Sequence, residues 1–71
     1  MTDVLATMKG MIWQGCISTG QSVKKGQDIL TMEIMKTEVP VPAPCAGVVE
    51  WIQKPGKHIN RGDVVAKIKE G

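Results

Sequence analysis

The chain repeats itself, and that limits its fold more than any other feature. Gly20-Gln21-Ser22-Val23-Lys24-Lys25-Gly26 leads into Gln27-Asp28-Ile29-Leu30, and Gly56-Lys57-His58-Ile59-Asn60-Arg61-Gly62 leads into Asp63-Val64-Val65. Both copies read glycine, two residues, a β-branched residue, two polar residues and glycine, and then reach an acid and an apolar pair. Upstream, Gly10 opens Met11-Ile12-Trp13 and Gly47 opens Val48-Val49-Glu50-Trp51, at nearly the same distance before each copy. A period of about half the chain means one unit used twice. Lys36, the central residue of the 71, lies at the joint between the copies.

The repeated unit reads as β structure. Val4 to Met8 is a short first strand. Met11 to about Ile17 is a second, with Gly15 inside it as a bulge or bend. Asp28 to Met35 is the longest apolar stretch, with Leu30, Met32 and Ile34 on one face against Ile29 and Thr31, and period two with β-branched content favours a strand. Val39-Pro40-Val41-Pro42-Ala43-Pro44 carries proline at every second position. Proline cannot donate to a ladder, so this must be an edge strand whose proline nitrogens face away from its neighbour. Gly47 to Ile52 repeats the second strand. In a last strand Val64, Ala66 and Ile68 face inward, while Val65, Lys67 and Lys69 are wet. Val23 and Ile59, each alone between two glycine turns, should plug the core from loops. Trp13 and Trp51 should flank the core at equivalent places in the two halves, and Met8, Met11 and Met32 should fill it. The expectation is an all-β fold of seven or eight short strands, with two similar halves packed face to face in a single domain over residues 1–71.

Composition excludes several functions. A chain of 71 residues exposes so much of its surface that it has little room for a substrate cleft of its own. The net charge is +2, with Lys and Arg scattered among Glu and Asp. Without Phe or Tyr, and with only Trp13 and Trp51, there is no aromatic platform for nucleic-acid bases. No apolar run approaches the ~18 residues of a membrane span. The N-terminus lacks the basic start and apolar core of a signal peptide, so a cytoplasmic protein is expected. Cys16 and Cys45 have no metal-ligand spacing, no His joins them, and His58 has no partner for metal or acid–base work.

Chemistry is left to the joint, Glu33-Ile34-Met35-Lys36-Thr37-Glu38. Strands on both sides leave room for little more than a two-residue turn at Met35-Lys36. Such turns favour Asn-Gly or Asp-Gly because they need positive φ, so Met-Lys breaks a local rule at one exposed spot, which is where function is expected. Lys36 is poorly placed as a catalytic nucleophile. A lysine in water titrates near pH 10.4, leaving under about 0.1% free amine at neutral pH. Enzymes activate lysine by burial or neighbouring positive charge, and here the neighbours are Glu33 and Glu38. An exposed lysine on a rigid tip is better suited to modification by another protein.

At these residues the chain resembles the biotinyl/lipoyl attachment domains, from about Val4 to Glu70. Glu33-x-Met35-Lys36 is similar to the biotinyl motif Glu-Ala-Met-Lys-Met. Ala43-Pro44-Cys45-Ala46-Gly47-Val48-Val49 resembles the alanine-proline to glycine-valine stretch that follows it, and the two Gly-x5-Gly segments resemble the family's paired loops. The resemblance implies a flattened β-barrel, a barrel-sandwich hybrid of two four-stranded antiparallel sheets with pseudo-twofold symmetry. It places Lys36 on an exposed hairpin turn at one end, with Glu33, Met35 and Thr37 around it for ligase recognition. It further implies that a biotin protein ligase joins biotin to Lys36, and that the biotin carries CO2 from a biotin carboxylase to a carboxyltransferase or decarboxylase. The chain would then be a carrier with no activity of its own, a monomer when isolated.

Two positions depart from the pattern: Ile34 stands where Ala or Ser is usual, and Thr37 where Met is usual. Met35 favours biotin, since lipoyl domains usually carry Asp before the modified lysine. A lipoyl carrier of an oxidative acyl- or aminomethyl-transfer complex is the alternative. The chain lacks the insertion between early strands with which some carriers cover biotin, and it lacks an Ala/Pro-rich N-terminal linker. The expectation is a stand-alone carrier or a domain from a longer chain.

Overall fold

The computed structural model describes residues 1–70, and among them every regular element is a strand. These are β1 (Thr2–Leu5), β2 (Gly10–Gly15), β3 (Ser22–Val23), β4 (Asp28–Ile34), β5 (Thr37–Pro42), β6 (Gly47–Ile52), β7 (His58–Ile59) and β8 (Val64–Lys69). They form two four-stranded antiparallel sheets, ordered β1-β8-β6-β3 and β5-β4-β2-β7. Advancing every strand by four places converts the first order into the second, which is the signature of a pseudo-twofold axis. The halves are interleaved: β1 to β4 contribute two strands to each sheet, and so do β5 to β8.

The repeat reaches the level of single hydrogen bonds. Gly20 N–H donates to the Val49 carbonyl at 2.7 Å, and Gly56 N–H donates to that of Ile12 at 2.7 Å. Gly26 N–H donates to the Ala43 carbonyl at 2.8 Å, and Gly62 N–H to that of Ala6 at 2.9 Å. Each pair joins loops of one half to strands, or to the residue just past a strand, of the other, so closing the two copies onto each other satisfies backbone groups that a loop would otherwise leave bare.

The core is one cluster in which Ile12, Ile29, Leu30, Val49, Val65, Ala66 and Ile68 have no exposed surface. Val23 and Ile59, on the short edge strands β3 and β7, are buried as plugs. Strict alternation fails toward the core at two places. Ile29 and Val65, expected on the outer faces, are fully buried, because the pairing slips by one residue between Asp28 and Leu30 against β5, and between Val4 and Leu5 against β8. A bulge of this kind turns two successive side chains inward. The slips are symmetry mates, so both buried residues come from one feature used twice.

Other expectations need correction. β1 stops at Leu5, leaving Met8 exposed in the following turn, while Met32 is buried and Met11 half-buried. Gly15 ends β2 instead of bending it; the irregularity lies between Ile12 and Gln14, with Trp13 as the extra residue. In β6 the extra residue at the matching slip is Glu50, which makes Trp51 equivalent to Gln14. Both tryptophans are exposed, but they are one position out of register.

The sheets do not close into a barrel. β5 is an edge strand, and Pro40 pairs across from Thr31 and Pro42 from Asp28. Those pairings survive proline because antiparallel ladders alternate bonded and unbonded positions, which turns the proline nitrogens toward the free edge. That edge therefore has no donors at Pro40 and Pro42 with which to bind β1. Between β1 and β5 lies an apolar groove of about 380 Å³ running past Val4, Leu5, Ile34, Val39 and Val41.

Candidate functional site

The β4–β5 hairpin is registered as Met32↔Val39, Glu33↔Glu38 and Ile34↔Thr37, leaving a loop of Met35 and Lys36. Their φ angles are 51° and 64°. Positive φ at both central positions marks a type I′ turn, whose twist matches that of the strands it joins. Without glycine, this conformation costs on the order of 1 kcal/mol or more per residue. The turn persists because β4 and β5 pair along their length on either side of it, and because Ile34, only 7% exposed, anchors its base in the core.

The sequence-predicted residues therefore gather at one apex but divide by direction. Met35, at 90% exposure, and Lys36 project into solvent. Thr37 is exposed opposite Ile34, and Glu33 and Glu38 face each other on the outer surface just below the turn. Like charges directly opposed weaken a sheet pair, so this arrangement makes the hairpin less stable. Met11 flanks Glu33 on β2, and His58 flanks Met11 on β7, giving an outer row of Glu38, Glu33, Met11 and His58. Ile34 points inward, so its departure from the usual Ala or Ser is a matter of core packing and not of the surface a ligase would meet.

One supporting residue escaped the sequence reading. A Cβ on Gly10 would sit 2.6 Å from the Glu33 carbonyl oxygen and 2.8 Å from Ile34 Cγ1. Only glycine lets β2 lie this close under the last residues of β4, so Gly10 fixes where the apex stands. A Cβ on its symmetry mate Gly47 would press as hard on the Lys69 carbonyl and would sit 2.7 Å from Ile68 Cγ2. The signal was present in the repeat, where both glycines open equivalent strands.

Cys16 and Cys45 are free thiols. Among the described residues no three His, Cys, Asp or Glu side chains gather as a metal site would need, and no helix is long and apolar enough to cross a membrane. What the arrangement offers chemically is a primary amine on a stiff two-residue turn, open to an outside catalyst.

Residues 2–68 match the family model described as "Biotin-requiring enzyme". The biotin/lipoyl attachment protein of Bacillus subtilis is 34% identical over 62 residues, covering 86% of this chain and 85% of that protein. The mitochondrial acetyl-CoA carboxylase of Saccharomyces cerevisiae is 37% identical over 67 residues, 94% of this chain, which spans only 3% of that enzyme's length. Among solved structures, the urea carboxylase of Kluyveromyces lactis superimposes with a TM-score of 0.91 at 32% identity, over 96% of this chain and 6% of its own. The lipoyl domain of the 2-oxoglutarate dehydrogenase complex of Azotobacter vinelandii gives 0.79 at 27% identity, over 100% of this chain and 99% of its own.

Proposed function

Because the chain belongs to the biotin/lipoyl attachment family, we propose that it is a biotin carrier and that Lys36 is its attachment point. The observation that carries this reading is the exposed Lys36 at positive φ, directly after Met35 in Glu33-x-Met35-Lys36. The residues fit the group: a primary amine on an open turn can form an amide with biotin's carboxyl carbon, and no side chain need move to admit it. Biotin, once attached, supplies a ureido ring that takes up and releases CO2.

The chain's own residues do the positioning. The two ladders of β4 hold the turn, Ile34 fixes its base, and Gly10 sets its height. Met35, Thr37 and Glu33 form the surface that a biotin protein ligase would read. Covalent attachment would then replace diffusion with a high effective concentration at each active site visited. Those sites belong to a biotin carboxylase and a carboxyltransferase or decarboxylase, and the chain itself contributes no catalytic group.

A lipoyl carrier is the second reading, favoured by the full-length superposition on a lipoyl domain. Met35 before the lysine speaks for biotin. Intact mass separates the two. Incubation with biotin protein ligase, biotin and ATP should add one biotin, and the addition should vanish in Lys36→Ala and Lys36→Arg. A lipoyl mass from lipoate ligase, with none from the biotin enzyme, would reverse the assignment.

A further inference from the structure

We propose that two copies of this chain can exchange halves through an opened Met35–Lys36 turn, giving a dimer in which β4 and β5 run on as one strand. The interleaving makes this possible. Of the six strand pairings, β1 with β8, β2 with β7, β3 with β6 and β4 with β5 each join one half to the other. Those pairings can be made equally well by β5 to β8 of a second copy. No contact of the closed form need be lost except the turn itself.

The register permits the exchange without adjustment. From Leu30↔Val41 through Ile34↔Thr37, β4 and β5 stay in step with no slip. If the turn straightens, the next pair in that ladder is Met35 opposite Lys36 of the second copy, followed by Lys36 opposite Met35 of the second copy. Two chains then cross on a twofold axis between these pairs, and the ladder continues unbroken from one lobe into the other. The nearest proline is Pro40, already within β5, so nothing in the hinge prevents an extended backbone.

Strain supplies a reason for the turn to open. In the hairpin both hinge residues hold positive φ without being glycine, whereas in the exchanged form both adopt ordinary strand dihedrals. Short hinge loops under strain favour exchange over closure. Met35 is 90% exposed, so no packing of its side chain holds the turn shut. Opposing the exchange is the entropy of bringing two chains together, so the dimer should form on refolding at high concentration and convert back slowly, since conversion requires the halves to separate. On the carrier reading above, exchange also takes Lys36 off an apex and into a ladder, withholding it from the ligase.

The test uses the full chain carrying Glu33→Cys and Glu38→Cys, with Cys16→Ser and Cys45→Ser to remove the native thiols. Positions 33 and 38 are directly opposed, close enough for a disulfide in either form. The protein is refolded at micromolar and millimolar concentration, and any dimer is isolated by size exclusion and oxidised. Exchange predicts a covalent dimer on a non-reducing denaturing gel. A dimer that yields only monomers with an internal disulfide overturns the proposal, as does the absence of dimer at both concentrations. In a second arm, Met35→Asn/Lys36→Gly installs a favoured type I′ pair and should cut the dimer fraction about tenfold; an unchanged fraction would also overturn it. The cross-link reads exchange whether or not Lys36 is ever modified, so loss of the carrier reading leaves this result standing, and the reverse is equally true.

Discussion

Among the described residues six have positive φ, and they form two groups. Gly20, Gly26, Gly56 and Gly62 lie between 86° and 91°, in the paired loops, with open space where a Cβ would be. Met35 and Lys36 lie at 51° and 64°, at the apex of β4 and β5. The difference is physical. Side chains fit only a small left-handed well, at φ of about 50° to 70°; the apex falls inside it and the loops fall outside. The fold therefore uses glycine where the backbone shape admits nothing else. At the apex it has a shape that side chains can hold at some cost, and there it spends that tolerance on a methionine and a lysine.

The sharpest test of the comparison replaces the amine and nothing else. Lys36→Arg keeps the charge and the turn but removes the primary amine, so biotin addition should fall below detection by intact mass while the melting curve stays within error. Retained labelling would move the attachment elsewhere, to a lysine with none of the apex geometry.

Next in size are the symmetry-related glycines under the strands. Gly10→Ala and Gly47→Ala each force a Cβ against a backbone carbonyl, of Glu33 and of Lys69 respectively. Backbone atoms cannot swing aside as a side chain can, so each should lose about 1–3 kcal/mol in denaturant unfolding. Only Gly10 supports the apex. The two variants should be alike in stability and unlike in labelling rate, with Gly10→Ala the slower substrate. Equal rates would show that the height of the apex does not matter to the ligase.

The repeat makes much of this legible in the sequence alone. Two copies of Gly-x5-Gly predicted one β unit used twice, the proline alternation predicted the edge strand, and the lone Val23 and Ile59 predicted the plugs. Poor turn chemistry at Met35-Lys36 located the candidate site. What stayed hidden depended on partners far away in the chain. Ile29 and Val65 are inside because their pairings slip against β5 and β1, a property of two strands together. Gly10 reads as an ordinary break until β4 is seen lying across it. Trp13 and Trp51 look equivalent in the sequence and differ by one bulge position in the sheets.

The loop glycines give a smaller effect. Gly26→Ala and Gly62→Ala meet no neighbour, so the whole cost is conformational: a side chain at φ of 87° or 89°. Each should lose roughly 1–2 kcal/mol, in equal amounts if the loops are as symmetric as their hydrogen bonds. A clear inequality, read by parallel urea titrations, would place the two copies under different strain.

The smallest effect runs in the opposite direction. Met35→Gly makes at the apex the reverse of the change made in the loops. It removes the left-handed penalty, roughly 1–2 kcal/mol, and adds unfolded-state freedom, which costs about 0.5–1 kcal/mol. No packing is lost, because the Met35 side chain lies in solvent. The terms nearly offset, leaving a change of about 1 kcal/mol or less, in the stabilising direction. If the methionine is there to be read by a ligase, the same variant should be a poorer biotin acceptor, so stability and labelling would move apart. A Met35→Gly chain that is clearly less stable would mean that the turn is held by contacts of its own, and that the apex and the loops are not the contrast drawn above.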